Sequence, residues 1–133
     1  MAVDTNVLVS AVIADGPPRR VLEAIADGSA ELVLPEPVGE ELRRVLGEKL
    51  GLGDTAIDAI LGMLDELAGV SAGVPDRVES ISGDPDDDRI LAAASAAGAD
   101  VLISGDSKHL LPLGLHKEMR IVRPQEILAE LAN

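Results

Sequence analysis

Short β-branched runs alternate with longer amphipathic stretches from one end of this chain to the other, and that alternation leaves little choice of architecture. Successive strands separated by helices run parallel, because the helix is the crossover, and a parallel sheet needs cover on both faces. The expected fold class is therefore α/β, a three-layer α/β/α sandwich around a parallel sheet of about five strands. At 133 residues the chain has room for a single domain, expected to span residues 1–133.

The pattern along the chain predicts a buried strand over Ala2 to Val9, interrupted by the polar Asp4, Thr5 and Asn6. A helix opened by Pro17 runs to about Asp27, a strand covers Glu31 to Leu34, and helices follow over Glu36 to Lys49 and Asp54 to Leu67. A short strand is expected near Arg77 to Ser80. Asp84-Pro85 then starts an Ala-rich helix that ends at Gly98, followed by a strand over Asp100 to Ser104 and a short helix near Lys108 to Leu111. A strand over Met119 to Val122 and a helix begun by Pro124 complete the order.

Composition removes several classes of function. With no Phe, Tyr or Trp, bases cannot be stacked on aromatic rings, which excludes the usual single-strand platforms. Without Cys there is no disulfide, thiolate metal site or Cys nucleophile. The net charge of −13 opposes long-range attraction to nucleic acid or anionic membranes unless cations are bound. No basic segment precedes an apolar stretch at the N-terminus, and the longest nearly apolar run, Ile90 to Ala99, is about half of the roughly 20 residues a membrane span requires. A cytoplasmic protein with no membrane partner is the expectation.

In an open α/β sheet, ligands gather beyond the carboxyl ends of the strands. Asp4 and Asp106 stand there, and a carboxylate within an apolar strand is costly unless it is paired or bound to a cation. In the run Asp84, Asp86, Asp87 and Asp88, capping and the helix dipole account for the first three, with Asp84 as N-cap. Asp88 lies beyond that explanation, over Leu91, Ala92 and Ser95. At about 100° per residue, Glu41 falls about 60° from Val38, beside the apolar stripe, whereas Glu40 falls about 160° away, facing water, where it can pair with Arg44. Asp4, Glu41, Asp88 and Asp106 sharing one pocket would repel one another unless a divalent cation joined them. An all-oxygen set favours Mg²⁺ or Mn²⁺, and such a site suits phosphodiester hydrolysis.

Asp4-Thr5-Asn6-Val7-Leu8, Glu41-Leu42-Arg43-Arg44-Val45-Leu46, Asp84-Pro85-Asp86-Asp87-Asp88 running into Leu91-Ala92-Ala93-Ala94, and Ser104-Gly105-Asp106 resemble in order and spacing the motifs of PIN-domain ribonucleases. The resemblance is closest to the VapC-like toxin components of toxin–antitoxin systems. It implies a Mg²⁺- or Mn²⁺-dependent endoribonuclease acting on single-stranded regions of RNA, a homodimer, and a small neutralising antitoxin as partner. It assigns Asp4, Glu41, Asp88 and Asp106 to the metal and to catalysis, with Asn6 and Ser104 as hydrogen-bonding supports and Asp84 and Asp87 in supporting places. Arg43, Arg89 and Lys108 are candidate substrate contacts. Ser104 stands where Thr is common, which keeps the hydroxyl, and the aromatic residue often found near the acidic helix is absent.

Two other classes compete. A receiver-type phosphoacceptor domain requires paired acids beside the first strand, an Asp after the third and a Lys after the fifth, and the chain offers a single Asp, none after Glu31 to Leu34, and Lys108 in another context. A haloacid-dehalogenase-type phosphatase requires a second Asp where Asn6 stands. A PIN fold that binds without cutting is the remaining alternative.

Overall fold

The computed structural model describes residues 1–132, and its architecture follows the predicted alternation. The strands are β1 (Ala2–Val3), β2 (Leu32–Pro35), β3 (Ala68–Ala72), β4 (Val101–Ile103), β5 (Leu115–His116) and β6 (Met119–Val122). The helices are α1 (Thr5–Ile13), α2 (Pro17–Ala26), α3 (Glu36–Glu48), α4 (Asp54–Leu67), α5 (Pro85–Ala96) and α6 (Pro124–Leu131), with a one-turn 3-10 helix at Leu111–Leu113. The sheet order is β3-β2-β1-β4-β6-β5. Every pairing is parallel except β5 against β6, a short hairpin that closes one edge. This is the sandwich expected for the fold class, with the two-residue β5 extending the sheet beyond the expected strands.

The topology fixes where a ligand can sit. From β1 the chain steps to β2 and β3 on one side, then crosses to β4 and β6 on the other. Ala2 pairs with Val33 on one flank and with Leu102 on the other. The crevice beyond the carboxyl ends of β1 and β4 is thus the switch point of the sheet. Val3, Leu8, Leu32, Leu42, Leu46, Leu91, Leu102 and Ile103 are among the buried aliphatic side chains that hold the layers together.

Several expectations need correction. The expected strand over Ala2 to Val9 is strand only to Val3: Asp4, with ψ 168, caps α1, which buries Val7, Leu8 and Ala11 at helical spacing. The alternating Val3, Thr5, Val7 and Val9 imitate a strand, but tertiary packing overrides a propensity of that size. No strand forms at Arg77 to Ser80. The strand of that region is β3, an edge strand whose Gly69, Val70 and Ser71 are exposed, so it carries no apolar run to betray it. Residues 107–110 form turns rather than a helix.

Candidate active site

Each acidic group is placed by a backbone feature. Asp4 leaves β1 with its N–H donating to the carbonyl of Ile103, 3.0 Å away, which locks it beside β4. Its Oδ1 accepts from the N–H of Val7 at 3.0 Å, and its Oδ2 accepts from the hydroxyl of Ser104. Ser104, wholly buried, also accepts from the N–H of Asp106 at 3.0 Å. One hydroxyl therefore ties the first acidic residue to the loop that carries the last. Asp106 Oδ1 in turn accepts from the N–H groups of Lys108 at 2.9 Å and His109 at 3.1 Å.

The remaining members come from helices. Glu41 lies on α3 at the border of its buried stripe, half-buried, while Glu40 is exposed, as the helical wheel requires. Asp87 is in the first turn of α5, where Asp84 Oδ1 accepts from the N–H groups of Asp86 at 2.8 Å and Asp87 at 3.3 Å. The carboxyls of Asp87 and Asp106 approach closely enough to share a hydrogen bond when one of them is protonated. Asp4, Thr5, Asn6, Glu41, Asp87, Ile90 and Asp106 line one cleft of about 20 Å³, room for roughly one water-sized occupant.

The electrostatics of this cleft are those of carboxyls drawn partly out of water and held close together. Burial, with the charges of Asp106 and Glu41 adding to it, pushes Asp4 up to about 6 against the pull of its Ser104 and Val7 hydrogen bonds. Burial and the charges of Asp84 and Asp106 push Asp87 up to about 7. Burial works to raise Asp106 as well, yet the backbone donors of His109 and Lys108, the hydrogen bond with Asp87 and the charge of His109 hold it below the ordinary carboxylate range.

These residues fit a hard divalent cation. The donors are all oxygen, the carboxylates repel in its absence, and the Thr5 hydroxyl, buried at the cleft, has no hydrogen-bond partner. Among the described residues no group of three or more His, Cys, Asp or Glu side chains is gathered closely enough to hold a metal ion. An open arrangement of that kind suits Mg²⁺, which keeps several waters and takes only one or two carboxylates.

The cleft gathers most of the expected set and leaves one member out. Asp4, Glu41 and Asp106 meet at the cleft, and Asp84 is the N-cap expected of it. Asp88 does not join them. It is buried on the neighbouring face of α5, where its Oδ1 accepts from the N–H of Ile81 at 3.1 Å and from the N–H and hydroxyl of Ser82, each at 2.8 Å. Burial works to raise its carboxyl, but those donors and the charge of His116 hold it low. Asp87, given a supporting place, occupies the cleft instead. Asn6 lines the rim and is exposed, and the bonds expected of it toward Asp4 are made by Val7 and Ser104.

Among the basic candidates, Arg43 is turned away to Asp58 on α4 at 2.8 Å. Arg89 lines an adjoining groove with Glu41 and Arg44. Arg44 pairs with Glu48 at 3.5 Å rather than with Glu40. Lys108 is exposed, and its backbone serves Asp106. Thr5 and His109 were not singled out from sequence. A hydroxyl directly after a helix-capping Asp was the available signal for Thr5, and His109 had none.

The placement of Glu41 leads to a direct comparison. Glu41→Gln is expected to lower a metal-dependent rate at least about a hundred-fold, the upper scale for a partner near a metal, while exposed Glu40→Gln stays within a few-fold. Rates of both folded variants at saturating Mn²⁺ decide it, and the opposite order would overturn the assignment of Glu41.

Compared with known families, residues 1–108 match the model of the PIN domain. No curated protein matches the chain.

Proposed function

Because the chain belongs to the PIN-domain family, whose members are generally nucleases and commonly use divalent metals, we propose that it is a Mg²⁺- or Mn²⁺-dependent endoribonuclease that cuts single-stranded regions of RNA. The observation that carries this reading is the meeting of Asp4, Glu41, Asp87 and Asp106 around one oxygen-lined cleft at the sheet's switch point. A bound cation supplies charge neutralisation for the phosphodiester and lowers the pKa of the attacking water. Asp4 and Asp87 are the residues proposed to hold it, their proton affinities raised first by burial and further by the neighbouring carboxylates whose repulsion a cation removes. Glu41 and Asp106 complete the negative ring, and Ser104 fixes the orientation of Asp4 through its hydroxyl. The unpartnered hydroxyl of Thr5 is positioned to orient water at the cleft.

The motif resemblance supports a finer proposal: the protein is the toxin of a toxin–antitoxin pair, acts in the cytoplasm as a homodimer of a single-domain chain, and is neutralised by a small partner protein. No helix among the described residues is long and apolar enough to cross a membrane.

The test is cleavage of mixed RNA with Mn²⁺ and with chelator. Metal-dependent cutting that disappears in Asp4→Asn supports the nuclease. Tight RNA binding with no cutting under any divalent cation would establish a binding module instead. An adjacent small reading frame whose product blocks the cutting supports the toxin assignment.

A further inference from the structure

A second cavity, about 420 Å³, lies against the face of α5 that carries Asp88, Ala92, Ser95 and Ala96. Its volume is in the range of small-molecule sites. Across it stand the segment before α5 and the β5–β6 hairpin, which contributes His116. Two side chains in its lining are more than nine-tenths buried: Asp88 at 6% exposure and His116 at 8%. Neither ring nitrogen of His116 has a hydrogen-bond partner among the described residues. Asp88 spends Oδ1 on three donors and leaves Oδ2 without any. Both side chains line the open cavity, so these polar atoms are available to an occupant.

The rim has a different character. Arg77 lines the cavity with no ion pair or hydrogen bond among the described residues, and the amine of Lys117 stands 3.8 Å from Glu79. Glu79 lines the same cavity and offsets Lys117, so Arg77 is the rim's unpaired cation among the described residues.

We propose that this cavity binds a nucleotide, with the base inside and the phosphate at the rim. The interior offers a carboxylate oxygen of Asp88 to a ligand donor and the ring edge of His116 to a polar group, while Ala92 and Ala96 offer small apolar surface on which a flat heterocycle lies. Inorganic phosphate would leave that interior unmatched. Edge recognition by carboxylate and imidazole also supplies what a chain without aromatic rings cannot obtain by stacking. The nucleotide is either free or part of an RNA that reaches round the start of α5 from this cavity, which Asp88 lines, to the acidic cleft, which Asp87 lines. The second source rests on the nuclease reading and the first does not.

Calorimetric titration of the metal-free protein with AMP, GMP, CMP, UMP and inorganic phosphate tests the site, alongside KM and kcat on an RNA oligonucleotide with Mn²⁺. Arg77→Gln removes a rim charge at the surface, and Ala92→Leu fills the cavity without removing any charge. For a free nucleotide, at least one nucleotide is expected to bind about ten-fold or more tightly than phosphate, and each variant to weaken it about ten-fold, the scale of one charge-assisted hydrogen bond. For an RNA-borne nucleotide, Ala92→Leu is expected to raise KM by a similar factor with kcat unchanged. Nucleotides binding no better than phosphate, together with an unaltered KM, would overturn the proposal, as would nucleotide binding indifferent to both variants. Nucleotide binding in a protein that cuts no RNA would refute the nuclease reading and leave the cavity's assignment intact.

Discussion

Asp87→Asn is expected to lower metal-dependent cleavage at saturating RNA at least about a hundred-fold, while Asp88→Asn keeps that rate within a few-fold. The two residues are adjacent, equally charged and in the same first turn of α5, so local charge and helix dipole cannot distinguish them. What separates them is direction. Asp87 faces Asp106 and the cleft, whereas Asp88 is engaged with Ile81 and Ser82. An asparagine at position 88 still offers an oxygen to those donors, so the fold tolerates it, and circular dichroism verifies that. Equal loss in both variants would show that the start of α5 acts as a unit. Loss in Asp88→Asn alone would return the site to the neighbouring face.

Adding Mn²⁺ at about a hundred times its Kd is expected to raise the melting temperature by roughly 5 to 10 °C, because binding to the native state alone contributes about 2.7 kcal/mol. The metal-free protein should also respond to pH in a particular direction. The folded-state values of Asp4, about 6, and Asp87, about 7, lie above those of an unfolded carboxyl. The native state therefore holds protons that the unfolded state has lost, and stability falls as pH rises from about 4 through those values. Asp88 and Asp106, held low, lose their contribution only as pH drops below that window. Between pH 8 and 5.5 the melting temperature without metal is thus expected to climb on acidification. Asp4→Asn should reduce that climb, leave the metal-free protein at least as stable near neutral pH, and abolish the response to Mn²⁺. Unfolding of Asp4→Asn with or without metal would make Asp4 a structural cap alone.

Much of this was readable before any coordinates because the helices carry strong periodicity. α2, α3 and α4 begin and end within a residue or so of the expected positions, marked by Pro17, by the Gly51-Leu52-Gly53 turn and by Val38, Leu42, Val45 and Leu46 on one stripe. Glu41 followed from that stripe. Asp88 did not, for a reason that the geometry makes plain. Asp88 was singled out because capping left it unexplained, yet α5 is buried on more than one side, and its Asp88 face opens on a different cavity. The capping argument for Asp87 also explained the wrong atoms. It is the side chain of Asp84 that satisfies the first turn, leaving the carboxylate of Asp87 free for other work. β3 was invisible because an exposed edge strand is specified by backbone pairing with β2, which no side-chain pattern records.

Ser82 gives the acidic cleft a property that no carboxylate of its own could provide. Its N–H donates to Asp88 at 2.8 Å and its carbonyl accepts from His109 Nδ1 at 3.2 Å, while the N–H of His109 donates to Asp106. A strut with an uncharged centre thus runs from the first turn of α5 to the loop after β4, alongside the pair Asp87 and Asp106 that repels across it. Repulsion would otherwise be relaxed by drift of the two loops, and a cation would have to pull them back at the expense of its affinity. With the strut in place the spacing is set by folding, and capture of the ion becomes an exchange of protons and water rather than a rearrangement of chain.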